Sequence, residues 1–275
     1  MLISIIITTK NEERNIRNCL ESVLAQSFPA ENVEIVVVDN GSTDKTKDIV
    51  RKFQSGLAPL NLKMFNGGPE RSAQKNFGVR ESKGEYFIHL DADMVLSENV
   101  IEECVEKVSD KKNIIALHIP EIVAGKKFFS RVRRFERGFY DGTAIDAVRF
   151  IRKDKFLLIG GFDEKMYACE DWDLDKRLKK MGKFGIVKSP IYHNESEFRL
   201  SKYLAKKGYY SKNLDVYIEK WGKDDPDVKK QFGFRYRFLG VFIENGKWKK
   251  MLRHPILVLG MYFLRFLVGV KFLKR

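Results

Sequence analysis

Strand-like and helical stretches alternate through the first 120 residues, and that order predicts an α/β fold: a mixed, mainly parallel sheet flanked by helices. Two further observations support that class. The strand-like runs are short, apolar and β-branched, as buried strands are. Several of them end in polar residues, at Thr8–Lys10, Asp39–Gly41 and Asp91–Asp93. Right-handed crossovers bring such strand ends to one edge, where open α/β sheets bind ligands.

The elements follow in order. Ile3–Thr8 is a strand, and Asn11 is expected to cap a helix with Ile16, Leu20, Val23 and Leu24 on one face. Val33–Val38 is the second strand, Asp44–Gln54 a helix, Leu62–Phe65 a short strand and Glu70–Ser82 a helix. Glu85–Leu90 is the strand that ends in the aspartates. Ile101, Cys104, Val105 and Val108 share a helix face, and Ile114–Ile119 is another strand. Beyond residue 120, Phe128, Val132, Phe135 and Phe139 keep helical spacing, and "AVRFIRKDKF" reads as a strand followed by a short helix. "GGFDE" (160–164) is a turn. Asp171–Met181 is a helix with Leu174, Leu178 and Met181 inward, and Arg199–Trp221 a helix broken near Gly208.

A chain of 275 residues with 44% hydrophobic and 32% charged residues buries a large core and is not disordered. Its net charge of +14 favours anionic partners: nucleotides, nucleic acid or an acidic membrane surface. Cys19, Cys104 and Cys169 form no CxxC pair, so neither a disulfide framework nor a zinc site is expected, and a reducing cytosol is the easier home. The opening "MLISIIITTK" lacks a basic n-region and is expected to be a buried strand, not a signal peptide.

Four stretches carry chemistry. In "HLDADM", a turn right after the strand would converge Asp91 and Asp93. One would bind a divalent cation, the other binding it through water or reaching a ribose hydroxyl; the plain alternative is a turn. In "VVDNGSTDKT", a helical pattern follows the Asn-Gly pair, which disfavours a hairpin. Asp39 would then accept a hydrogen bond from a base or a ribose. "GGFDEKMYACEDWDLDKRL" carries Glu170 and Asp171, either a solvated helix start or a general base towards an acceptor hydroxyl. His193 in "YHNES" is a further metal ligand or a structural histidine.

In sequence, "ISIIITTKNEERNI", "VEIVVVDNGSTDKT", "GPERSAQKNFGVRESKGEYFIHLDADM", "GGFDEKMYACEDWDLDKRLKKMG" and "YHNES" resemble the family 2 glycosyltransferases of the GT-A (Rossmann-like) fold, from residue 2 to about residue 220. The resemblance implies a metal-dependent, inverting hexosyltransferase that takes its sugar from a nucleotide-diphosphate sugar, GDP-mannose or a UDP-hexose, with Mn2+ or Mg2+. It implies that Thr8, Lys10, Glu12 and Asp39 line the nucleotide, that Asp91 and Asp93 form the metal-binding DxD motif and that His193 completes the metal site. The Glu170–Asp171 pair supplies the base, and Arg71 and Arg149 help to neutralise the diphosphate. Where many members have Pro-Thr-Tyr-Asn, this chain has Thr8-Thr9-Lys10-Asn11, so the aromatic beside the base is missing and uracil and guanine both stay open. If the acceptor is a phosphate, already ionised, Asp171 orients it and takes no proton.

On this reading residues 1–221 form the catalytic domain, with a nucleotide-binding half to residue 120 and an acceptor-binding half from 121, and 222–275 form a basic, apolar helical segment. From Lys247 onward there are eight basic residues and no acidic one around "PILVLGMYFLRFLVGV". About sixteen mostly apolar residues interrupted by Arg265 fall short of the roughly 20 that a spanning helix needs. The segment is therefore expected to lie in an anionic membrane interface, peripheral or monotopic, at the cytoplasmic face of the cell membrane, the alternative being a packed C-terminal helix. The acceptor expected there is lipid-linked, a polyprenyl or dolichyl phosphate or a lipid-linked glycan; a soluble acceptor is the alternative. Nucleic-acid binding is disfavoured because no such motif accompanies the charge. A nucleotidyltransferase would show a glycine-rich loop after the first strand, and "TTKNEERN" has none. A catalytically silent binding module would not need the full carboxylate set.

Overall fold

In the computed structural model, residues 1–56, 61–110, 113–211 and 213–273 are described. The elements are β1 (Ile3–Thr9), α1 (Ile16–Leu24), β2 (Val33–Asp39), α2 (Thr46–Gly56), β3 (Asn61–Asn66), α3 (Arg71–Glu81), β4 (Tyr86–Asp91), β5 (Met94–Leu96), α4 (Val100–Asp110), β6 (Ile114–His118) and β7 (Glu121–Ala124). Then come α5 (Phe128–Arg137), β8 (Val148–Arg152), α6 (Lys153–Leu158), α7 (Glu170–Lys179), β9 (Lys183–Ile186), β10 (Ile191–Asn194) and α8 (Leu200–Ser211). The C-terminal part is helical: α9 (Asp215–Trp221), α10 (Pro226–Phe232), a π-helical turn at Tyr236–Gly240, α11 (Val241–Ile243), α12 (Lys249–Arg253) and α13 (Pro255–Leu273).

The main sheet has the order β3-β2-β1-β4-β8-β6-β9, with β1 to β4 parallel and β8 antiparallel to both its neighbours. Alternation along the strands sorts the core into two layers, because successive side chains of a strand point to opposite faces. Ile3, Ile5 and Ile7 pack with Cys19, Leu20, Val50 and Ile101 under α1, α2 and α4. Ile6, Val36, Val38 and Phe87 pack with Val79, Phe156, Leu174 and Leu178 under α3, α6 and α7. A smaller sheet, β5-β10-β7, stands beside it.

Helix α3 sits unusually close to β1, because Gly78 faces Ile6; a Cβ at Gly78 would lie 2.5 Å from Ile6 Cγ2. Gly78→Ala is therefore expected to destabilise the fold by about 1–3 kcal/mol, the usual cost of overpacking a core. The denaturant midpoint reads it, and an unchanged midpoint would show that α3 gives way freely.

Three local expectations need correction. Asn11 does not cap α1: it adopts φ 55, and its Oδ1 accepts the Thr43 N–H at 2.8 Å, latching the β1–α1 loop to the β2–α2 loop. The N-cap is Asn15, which makes no side-chain capping bond. Gly208 does not break α8, which runs on to Ser211, with α9 starting at Asp215. Met181 lies beyond the end of α7 and is exposed, while Leu174 and Leu178 are buried as expected.

The C-terminal helix has two faces. Met261 and Leu264 are buried against Val132, Phe139 and Phe242. Arg265, expected among headgroups, is buried instead, paired with Glu136 at 2.9 Å and donating to Tyr140 Oη at 2.8 Å. Ile256, Leu259, Phe263 and Phe266 on the other face are exposed. Among the described residues no helix is long and apolar enough to cross a membrane.

Candidate active site

The strand order reverses between β1 and β4, the position where open α/β sheets leave a crevice at their strand ends. Register aligns the polar ends there: Thr8 pairs with Asp91, and Thr9 with Asp39. Thr8 Oγ1 donates to Asp91 Oδ1 at 3.3 Å. Asp39 is buried, its Oδ2 accepting the Ser42 N–H at 2.8 Å while its Oδ1 has no partner. Glu12 lies on the same rim and holds Asn15 Nδ2 at 2.7 Å; burial, with Asp93 and Asp91 nearby, pushes its carboxyl up. Lys10 is exposed.

Beyond β4 the chain turns, with the Ala92 N–H bonded to Thr8 O, and Asp93 meets the smaller sheet. His193 on β10 pairs in register with Met94 on β5, which brings its Nε2 to 3.1 Å from Asp93 Oδ2. Its Nδ1 lies 2.9 Å from Glu121 Oε1. Glu121 Oε2 is in turn held by Arg137 at 2.6 Å and by Arg149 at 3.2 Å. Burial disfavours a charged His193, but the two carboxylates outweigh it and hold the ring as an imidazolium, pushed up to about 10. Asp91 is half-buried, and although desolvation disfavours its charge, Lys75, Arg149, Arg71 and His193 hold its carboxyl far below the usual range.

The carboxylate pair opens α7. Cys169 just before it adopts the left-handed φ of 65, which turns Glu170 and Asp171 into the first helical turn. Lys75 Nζ lies 3.4 Å from Asp171 Oδ1, and Arg71 lies 3.5 Å from Glu170 Oε1. The two carboxyls diverge. Burial raises both, but Lys75 dominates at Asp171 and holds it at about 2, whereas at Glu170 burial and the Asp171 charge win and push it up. Asp171 is thus the member of the pair whose ionised form the site favours more strongly.

Lys75, Glu121 and Tyr210 belong to this site as well, and none of them stands out in the sequence. Helix α3 buries Ser72, Gln74, Lys75 and Asn76, so it is packed through polar side chains on the ligand side. Gln74 Nε2 donates to the carbonyls of Thr9 and Val38 at the ends of β1 and β2, and Asn76 holds both Phe162 backbone groups of the glycine turn. That turn needs glycine: Gly161 has φ 72, and a Cβ there would lie 2.5 Å from Asn76 Oδ1. A predicted helix without an apolar stripe, as in "RSAQKN", was the available signal.

A divalent cation fits part of this donor set. Asp93 Oδ1 is buried without a partner, and His193 Nε2, 3.1 Å from Oδ2, would add a nitrogen donor once a cation displaces its proton; such mixed oxygen and nitrogen donors suit Mn2+ or Mg2+. Asp91 turns to Thr8, and among the described residues no three His, Cys, Asp or Glu side chains converge as a cage. A cation here would rest on Asp93 and His193 and draw its remaining oxygens from phosphates and water, as Mg2+ sites commonly do.

The sequence pattern described as "Glycosyl transferase family 2" matches residues 4–163. The chain is 35% identical over 107 residues to glycosyltransferase AglE of Haloferax volcanii, covering 39% of this chain and 35% of that protein. It is 34% identical over 105 residues to a Methanococcus voltae dolichyl N-acetyl-alpha-D-glucosaminyl phosphate 3-beta-D-2,3-diacetamido-2,3-dideoxy-beta-D-glucuronosyltransferase, covering 38% of this chain and 33% of that one. Each match thus spans about a third of the relative's length. Among solved structures, the fold is similar to that of the mannosyltransferase PcManGT from Pyrobaculum calidifontis in complex with GDP-Man and Mn2+ (TM-score 0.66, 18% identity, 98% of this chain and 86% of that one). It is also similar to S. aureus TarS 1-349 in complex with UDP-GlcNAc (TM-score 0.59, 16% identity, 99% and 89%).

Proposed function

Because this chain belongs to glycosyl transferase family 2, we propose that it is an inverting hexosyltransferase that takes its sugar from GDP-mannose or a UDP-hexose and passes it to a lipid-linked acceptor at the cytoplasmic membrane face. One observation carries the reading. The Asp91–Asp93–His193 group and the Glu170–Asp171 pair border the same strand ends, and Lys75 and Arg71, each paired with one of those carboxylates, act together on Asp91.

In this reading Asp39 and Glu12 hold the nucleoside, its polar groups satisfying the orphaned Asp39 Oδ1. Lys75, Arg71 and Arg149 lie where charge grows on the diphosphate as the glycosidic bond breaks. Asp93, with His193 once its Nε2 proton is released to solvent, would hold Mn2+ or Mg2+, which when bound would neutralise that leaving group. Asp171, oriented by Lys75, faces the acceptor oxygen and accepts its proton, or orients it if it arrives ionised. The test is donor hydrolysis across a panel of GDP- and UDP-sugars with Mn2+. Turnover of one donor is expected, and inertness towards all of them would sink the reading.

The membrane part of the proposal rests on the exposed apolar face. Ile256, Leu259 and Phe266 on α13, with Leu252 and Ile243 before it, are all more than half exposed, and Lys249, Lys250 and Arg253 flank them. Removing the segment would strip Met261, Leu264 and Arg265 from the core, so surface substitutions are the cleaner probe. Full-length protein should float with phosphatidylglycerol liposomes at low salt, and the Ile256→Ser, Leu259→Ser, Phe266→Ser variant should stay in the pellet fraction. Indifference of the unsubstituted protein to anionic liposomes would favour a soluble acceptor.

A further inference from the structure

Helix α8 turns Tyr203, Lys207 and Tyr210 to one side, at helical spacing. The Tyr210 ring centre lies 5.5 Å from the guanidinium of Arg71, which is itself paired with Glu170. The Tyr203 ring centre lies 5.2 Å from the Arg133 guanidinium and 5.7 Å from Lys207 Nζ. Lys207 therefore stands between the catalytic pair and Arg133. Arg237, on the π-helical turn, joins this group with its guanidinium 6.0 Å from the Tyr140 ring centre.

The charges here do not balance. Glu136 is taken by Arg133 at 3.3 Å and by Arg265 at 2.9 Å, and Glu195 by Arg133 at 3.3 Å. Among the described residues neither Lys207 nor Arg237 has a carboxylate within ion-pair distance, and Arg133 Nε is buried with no hydrogen-bond partner. Burial, with Arg133 and Arg237 adding to it, pushes the Lys207 ammonium down to about 7. Cations gathered without counter-charge destabilise one another, and an anion seated among them removes that cost. The group is also next to apolar surface: Phe234 and Leu239, on either side of Arg237 in the chain, are 70% and 60% exposed.

We propose that Lys207 and Arg237 hold a phosphate borne on an apolar tail, which makes the acceptor of this transferase a phosphorylated lipid whose head lies beside Glu170 and Asp171. The proposal rests on the transferase reading above. Phosphate suits the site because a lysine ammonium and an arginine fork match a compact dianion, and the exposed phenylalanine and leucine offer a path for the tail.

Calorimetry on the full-length protein tests it, with farnesyl phosphate, farnesol and inorganic phosphate as probes, on the unsubstituted chain and on Lys207→Gln and Arg237→Gln. GDP and UDP with Mn2+ are titrated in parallel. Farnesyl phosphate should bind at least about tenfold more tightly than either other probe, and each substitution should weaken it by about tenfold while nucleotide binding stays unchanged. Equal binding of farnesol and farnesyl phosphate, or undiminished binding by both variants, overturns the proposal. Inorganic phosphate binding as tightly as farnesyl phosphate overturns the lipid assignment. Displacement of farnesyl phosphate by phosphatidylglycerol liposomes would make the site a reader of bilayer headgroups and overturn the acceptor. Failure of the unsubstituted protein to bind any nucleotide would sink the transferase reading itself, a separate outcome.

Discussion

Towards an acceptor hydroxyl, Asp171→Asn is expected to lower turnover by about 10²–10⁴-fold, the range for loss of a general base, whereas towards the already ionised phosphate proposed above only orientation is lost and turnover falls far less; donor affinity stays within about twofold in both cases. The amide keeps the size of the carboxylate and loses its charge and its basic lone pair. Because Lys75 holds the Asp171 carboxyl at about 2, the base stays ionised through mildly acid solution. The pH profile of kcat/KM should then show no acid limb from this group between about pH 5 and 7. The substitution also leaves the Lys75 ammonium, 1% exposed, without its carboxylate, so thermal stability has to be followed alongside turnover. The double variant Lys75→Met, Asp171→Asn removes that stranded charge and should recover stability without recovering turnover. Near-normal turnover of Asp171→Asn would move the role to Glu170 or indicate an acceptor that is already ionised.

The fold was legible where side-chain period and strand length were strong. Ile3, Ile5 and Ile7 against Ile6 is a period of two that survives into the two core layers, and the polar residues closing β1, β2 and β4 fall on one edge as expected. Turn chemistry was less legible. Asn11 precedes two glutamates, which suits a capping position, but its left-handed backbone and its bonds to the β2–α2 loop depend on residues more than thirty positions away. In the site, residues carried by short motifs were readable, whereas Lys75 and Glu121 were not. Each acquires a role only through a partner distant in sequence, Asp171 for the one and His193 for the other. Arg265 shows the same limit: in the sequence it interrupts an apolar run, and only the packing of α13 on α5 supplies Glu136.

Asp93→Ala should abolish transfer and remove the metal dependence of nucleotide binding. The Asp93 carboxylate has two environments: Oδ2 faces the His193 ring at 3.1 Å, and Oδ1 is buried without a protein partner. A buried carboxylate oxygen without a partner costs about 1–3 kcal/mol or more, which a cation would relieve. Asp91, bonded to Thr8 and surrounded by Lys75, Arg149 and Arg71, is already neutralised by the protein, so it does not replace Asp93. Calorimetry with GDP and UDP, each with Mn2+ and with EDTA, reads the effect. The unsubstituted protein should bind one nucleotide at least about tenfold more tightly with Mn2+, a difference of roughly 1.4 kcal/mol, and Asp93→Ala should bind it equally weakly in both solutions. The substitution also frees His193 from one of the two carboxylates that keep it protonated, leaving Glu121 alone to hold the charge. Its proton should then come off at lower pH than in the unsubstituted protein, which NMR of the ring reports independently of activity. A nucleotide affinity indifferent to both EDTA and the substitution would leave Asp93 as a strand-end turn residue and the diphosphate in the care of Lys75, Arg71 and Arg149 alone.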